Sequence, residues 1–108
     1  MQFITIQQAK REAQVSESGV DDDPWFNDNV LVAKSFIENK IEGLLFESQA
    51  DIDAAKSSNN PPNAAFLIDP LINKVAAMLV ADWFSNGAMS TPDGFFDMLS
   101  HLKPDYSA

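Results

Sequence analysis

Cysteine is absent from the 108 residues, which excludes disulfides, thiolate metal sites and a cysteine nucleophile. Histidine occurs once, at His101, so the chain alone cannot build a multi-histidine metal site. Positive charge is scarce: seven Lys and Arg stand against sixteen Asp and Glu, a formal net charge of −9. Ordinary nucleic-acid binding relies on clustered cations, and these seven are dispersed. No apolar run approaches the roughly 18 residues of a spanning helix, so no membrane association is expected. The opening MQFITIQQAK lacks the basic region and apolar stretch of a signal peptide. Gly19, Gly43, Gly87 and Gly94 have no phosphate-loop spacing.

What is present is a hydrophobic fraction of 45%, too high for a disordered acidic chain. The length fits one domain over 1–108. A chain of this size buries about two-thirds of its surface, enough for a modest core but not for a large enclosed active site.

Hydrophobic spacing predicts four helices and an all-α fold. The first runs from about Ile6 to Val15, with Thr5 and Gln8 in capping-box positions. Ile6, Ala9 and Ala13 share its apolar face, and Lys10, Arg11 and Glu12 are assigned to solvent. The second follows Asp21-Asp22-Asp23, with Asp23 as N-cap and Pro24 in the first helical position. Phe26, Val30, Ala33, Ile37, Ile41 and Leu44 follow at steps of 3 and 4, one helical stripe. Gly43 marks its end as a left-handed C-terminal residue. A third starts at Pro70, capped by Asp69, and closes at Gly87. Its two apolar stripes fit a helix central in its domain or buried in an oligomer. Thr91-Pro92 opens a short fourth helix that stops before Pro104. The expected architecture is two long antiparallel helices with two short flanking helices. Segment 45–67 is open to several readings: Leu44-Leu45-Phe46 could be a short strand, Asp51 to Lys56 one helical turn, and SSNNPPN must be a loop. The whole reads as a long excursion between the long helices, a loose β-hairpin being the alternative. Residues 103–108 read as a flexible tail.

No catalytic constellation emerges. Asp21-Asp22-Asp23 could bind a cation, but DDDPWFND lacks the central Gly and closing Glu of a calcium loop. Carboxylates at a helix start are explained by the positive end of the helix dipole. Glu38 and Glu42 stand i,i+4 on a solvated face, and with Glu47 form no converging acid pair. His101, four residues after Asp97, suits a helix C-terminus. No serine has His and Asp partners in triad order. The chain therefore reads as no enzyme, with no cofactor and no metal.

Four stretches, in order, resemble the small bacteriophage head–tail connector (head-completion adaptor, DNA-packaging) proteins. ITIQQAKREAQV is similar to the family's opening I-T-L-x-E-A-K-x-x-L helix. DDDPWFNDNVLVAKSFIENKIEG is similar to its acidic start followed by L-I-x-A-A-x-x-Y-I-E-x-x-x-G. Leu31, Val32, Ala33, Lys34, Phe36, Ile37, Glu38 and Gly43 occupy that pattern. DPLINKVAAMLVADWFSN resembles P-x-x-I-K-x-A-x-x-x-L-V-A-x-x-Y-x-N-R, and TPDGFFDMLSHLKP the closing P-x-x-x-x-x-L-L-x-x-Y-R. Gly87 stands where the family often has Arg, and Leu102-Lys103 where it often has Tyr-Arg.

The resemblance implies a structural virion protein, made in the host bacterial cytoplasm and placed at the head–tail interface. It would form a ring under the portal, a dodecamer matching the portal's twelve-fold symmetry. It would extend the DNA channel, pass DNA without sequence-specific binding, and dock a tail-side stopper or tail-completion protein. A heterologous ring needs two different apolar patches per subunit. Candidates for subunit contacts are Ile6, Trp25, Phe36, Ile72, Val80, Trp83 and Phe84. Candidates for portal or tail docking are Phe46, Asn60, Lys103 and Tyr106. Candidates for an acidic channel lining are Asp21, Asp22, Glu47 and Asp51. The charge also fits a second class, a small acidic regulatory or inhibitor module that binds a basic partner protein in a salt-sensitive way.

Overall fold

The computed structural model describes residues 1–87 and 89–108. The elements are α1 (Ile6–Glu12), α2 (Asp23–Ile41), β1 (Leu44–Phe46), α3 (Gln49–Lys56), β2 (Ala64–Leu67), α4 (Pro70–Asn86), α5 (Phe95–Ser100) and β3 (Tyr106–Ser107). The accessible surface, 6253 Å², is close to the roughly 6,000 Å² expected at this mass.

The first turn of α1 forms as its spacing predicts. The Thr5 hydroxyl accepts from the Gln8 amide at 3.2 Å, and the Gln8 side chain accepts from the Thr5 amide at 2.8 Å. The helix ends at Glu12, three residues short of Val15, and Gln14 turns the chain at φ 61°. Lys10 is not in solvent as its position implied; it is 1% exposed. Its ammonium donates to the Glu17 carbonyl at 3.3 Å and to the Gly19 carbonyl, and pairs with Asp23 at 2.8 Å. Three donors meet three oxygens, so the buried charge is fully compensated.

That contact also displaces the expected cap of α2. Asp22, not Asp23, is the N-cap, without a side-chain cap bond; Asp23 sits in the first turn with its carboxylate on Lys10. Phe26, Val30, Ala33 and Ile37 form the buried stripe that the spacing predicts. At the far end the left-handed residue is Glu42, at φ 53° and ψ 43°, rather than Gly43. Gly43 is needed for space: a Cβ there would meet the Ala64 carbonyl and the Phe66 ring at 2.8 Å.

The fold is mixed α and β, which corrects the all-α expectation. Segment 45–67 is not a loop: β1, α3 and β2 form a β–α–β crossover whose strands pair in parallel, Leu44 opposite Ala65 and Phe46 opposite Leu67. The Ser48 hydroxyl caps α3 on the Asp51 amide at 3.2 Å. Residues 103–108 are not a free tail. Tyr106 and Ser107 add antiparallel to the other edge of β2, giving the order β1-β2-β3. The Asp105 carboxylate accepts from the Leu67 amide at 2.8 Å and extends that edge. Strands of three, four and two residues are too short to show a period of two. Ala64, Ala65 and Phe66 are also all buried, so they do not alternate.

Helix α4 is the centre of the molecule. Asp69 caps it through the Ile72 amide at 2.8 Å. Ile72, Val75, Ala76, Leu79, Val80 and Trp83 are buried on it, and α1, α2 and α5 all pack against it. Most of its two apolar stripes is therefore covered inside the chain, with Leu71 and Phe84 each left 37% exposed. Beyond Gly87 the chain folds back: the Trp83 indole N–H donates to the Ser90 carbonyl at 2.7 Å, and the Ser90 hydroxyl donates to Asp82. Helix α5 then starts after Gly94, at φ 80°.

Lys10→Met, which strands Asp23 and two carbonyls, is expected to lower unfolding free energy by about 3 kcal/mol. Urea denaturation measures it, and Lys10→Met with Asp23→Leu should recover part of the loss. Gly43→Ala should cost about 1–3 kcal/mol through the clash with β2. Glu42→Gly should instead stabilise by roughly 0.5–1 kcal/mol by relieving the left-handed backbone. In hydrogen exchange, the Asp105 and Ala108 amides, bonded to the Ala65 and Asn63 carbonyls at 2.8 Å, should be protected; a free tail would exchange at once.

Candidate interaction surfaces

The aromatic candidates meet in one seam between α2 and α4. Trp25 lies edge-on to Phe26 at 5.0 Å and to Phe84 at 5.2 Å, while Phe26 stacks on Phe84 at 5.1 Å. Phe36 meets Trp83 at 5.5 Å and Phe95 at 5.9 Å. The spacing puts these rings on facing helices, where edge-to-face and offset contacts are favourable. Trp83, Ile72 and Val80 lie inside the chain's own core, 2%, 2% and 0% exposed, and so are not the neighbour-facing contacts expected of them. Ile6, Trp25 and Phe36 are half-buried against the core, and Phe84 leaves one edge open.

The docking candidates do not form one patch. Phe46 is half-buried in β1, and Asn60 is exposed in the turn after α3. Lys103 is exposed between α5 and β3. Tyr106 is half-buried in β3, with the Lys56 ammonium 5.6 Å over its ring. Helix α3 and β3 are thereby joined, and Tyr106 is partly taken up within the chain.

The acidic candidates fall into two pairs. Asp21 and Asp22 are exposed just before and at the start of α2; Glu47 and Asp51 are exposed around the start of α3. None of the four joins an ion pair among the described residues. The cations are used differently. Lys10, Arg11, Lys56 and Lys74 each have a carboxylate within 4 Å, leaving Lys34, Lys40 and Lys103 without one among the described residues. Lys40 sits 5.2 Å over the Phe36 ring. The exterior is thus strongly anionic.

A cleft of about 400 Å³ between α1 and α4 is lined by Ile4, Gln8, Arg11, Glu12, Asn73 and Lys74, among others. Its two cations are held by Glu17 at 2.7 Å and Glu12 at 2.6 Å. Asn73 donates to the Gln2 carbonyl at 2.9 Å, and its own carbonyl oxygen is buried without a partner. His101 and Asp97 lie 3.9 Å apart, both largely in solvent, a pair of little energetic weight. Among the described residues no three His, Asp or Glu side chains converge as metal ligands, and no helix is long and apolar enough to cross a membrane.

One surface was missed by the helical reading. Leu31 is 70% exposed and Val32 40%, beside Asp28 on the outer face of α2. The signal was available, since Leu31 stands off the stripe of Phe26, Val30, Ala33 and Ile37. A lone exposed apolar pair is common on a helix surface, so its spacing by itself marks no site.

No protein-family model, curated protein or solved structure matches this chain.

Phe84→Ala should cost about 1.5–3 kcal/mol, because it removes the ring that Trp25 and Phe26 pack against. Leu31→Ala should stay within about 0.5 kcal/mol of the parent. Thermal and urea unfolding of the two variants separates aromatics that hold the fold from apolar side chains that do not.

Proposed function

We propose that the chain is a structural connector subunit. In this reading it assembles as a ring, a dodecamer beneath a portal, and lengthens the channel through which DNA passes. It offers its far side to a stopper or tail-completion protein, and its place is the head–tail interface of a virion. The observation that carries this is one of order. The four stretches that resemble connector proteins fold as α1, α2, α4 and α5, and these pack into a single core around α4. The resemblance thus runs along the whole helical body rather than one isolated helix.

Electrostatics supports the same reading. A channel that passes DNA without holding it must avoid clustered cations, because each phosphate contact releases counterions and binds the duplex. Here most cations are neutralised within the chain, and Asp21, Asp22, Glu47 and Asp51 are exposed and unpaired among the described residues. The mixed sheet lies outside the helical pattern implied by the resemblance.

The deciding experiment mixes the purified chain with portal rings from the same genome and images the product by electron microscopy. About twelve copies per portal, closed by heterologous contacts, are expected. Absence of portal binding, together with salt-sensitive one-to-one binding to a basic protein, would overturn the connector reading in favour of an acidic inhibitor module.

A further inference from the structure

We propose that the outer face of α2 is a docking site for a basic, amphipathic segment of another protein: an apolar stripe flanked by Lys or Arg. The face is built from Asp28, Leu31 and Val32, which at i, i+3 and i+4 lie side by side on one surface of the helix. Leu31 and Val20 are the most exposed large hydrophobics among the described residues, at 70% and 69%, and Val20 lies just before α2. Asp28 stands one turn before Leu31 on this face, and Asp21 and Asp22 are exposed where the chain enters the helix. Against these three carboxylates the helix sets one cation near Leu31, Lys34 at i+3. None of these three carboxylates has a cation within 4 Å among the described residues.

Charge decides the occupant. Nucleic acid and anionic lipid carry the same sign as this face and are repelled by it. A second copy is a poor complement, because among the described residues only Lys34, Lys40 and Lys103 lack an intrachain carboxylate, and the chain as a whole is at −9. A cationic helix with its own apolar stripe satisfies both features at once: it covers Leu31 and Val32 while its flanking cations meet the aspartates. Leu31 and Val32 are neither in the core cluster nor among the partly buried side chains packed against it, among the described residues. The inference is independent of ring formation and holds whether the partner is a portal, a tail protein or another basic protein.

The probe is a synthetic 14-residue Leu/Lys peptide with helical spacing, titrated into isotope-labelled full-length chain and followed by amide chemical shifts. A Leu/Glu peptide of the same spacing is the control. The Leu/Lys peptide is expected to move the amides of residues 27–35 and to bind more weakly as salt rises. Leu31→Ser with Val32→Ser should weaken binding about tenfold or more. Asp28→Asn with Asp21→Asn and Asp22→Asn should weaken it and flatten the salt dependence. All these positions are exposed, and an unchanged melting temperature checks that each variant folds. Shifts centred elsewhere, equal binding of the Leu/Glu peptide, or affinity indifferent to both sets of substitutions would overturn the proposal. So would peptide-free, concentration-dependent shifts on this same face, which would assign it to a second copy. Ring formation on a portal is scored separately with the same variants, so failure of the docking face and failure of the connector reading are distinguishable.

Discussion

The ammonium of Lys10 holds the N-terminal half of the molecule together. It is buried at the end of a seven-residue helix and reaches three oxygens from two other segments. Two are backbone carbonyls of the turn after α1, and the third is the carboxylate that opens α2. A short helix such as α1 is marginal alone and needs tertiary contacts to persist. Lys10 supplies a contact that also fixes the connecting turn and the starting point of α2. Because the charge is desolvated, the arrangement tolerates no missing partner, which makes the corner rigid as well as stable.

From that corner the rest of the packing follows. With α1 and α2 fixed relative to each other, both lay their apolar faces on α4. Their coverage, with that of α5, explains why α4 is apolar on two sides without requiring a neighbouring subunit. The aromatic seam of Trp25, Phe26, Phe36, Trp83 and Phe84 closes the contact between the two long helices. At the other end of α2, Gly43 lets the chain pass close enough to Ala64 and Phe66 for the sheet to form beneath the helix end. Glu38 on α2 accepts from the Leu45 amide at 2.8 Å and so occupies part of the outward edge of β1. That contact blunts an edge that would otherwise invite pairing with another chain.

The proposed connector role places function on the exterior. The interior is filled by packed side chains, and the cleft between α1 and α4 holds two charged pairs already satisfied within the chain. Among the described residues the surface combines unpaired carboxylates with an exposed apolar pair, Leu31 and Val32, on α2. An assembly subunit needs such a division: a rigid body held by its own core, and contact surfaces that contribute little to its stability.

Local pattern alone determined the four helices that carry most of the core. The capping box at Thr5 and Gln8, the stripe through Phe26, Val30, Ala33 and Ile37, and the Asp69-Pro70 start of α4 are each written within a few residues. Spacing and caps are short-range properties, so they survive translation into structure. Leu44-Leu45-Phe46 offered a strand, and it forms β1, but the sheet it joins was not legible, because β1 finds β2 across the whole of α3 and β3 arrives from the end of the chain. Pairing partners that distant leave no periodic trace in strands of two to four residues. Tertiary structure also decided which polar groups are interior and which apolar groups are not. Lys10 is buried because residues 17, 19 and 23 fold over it, and Leu31 is exposed because no element of this chain reaches the outer face of α2. Both outcomes depend on where other segments go, which no single helix encodes.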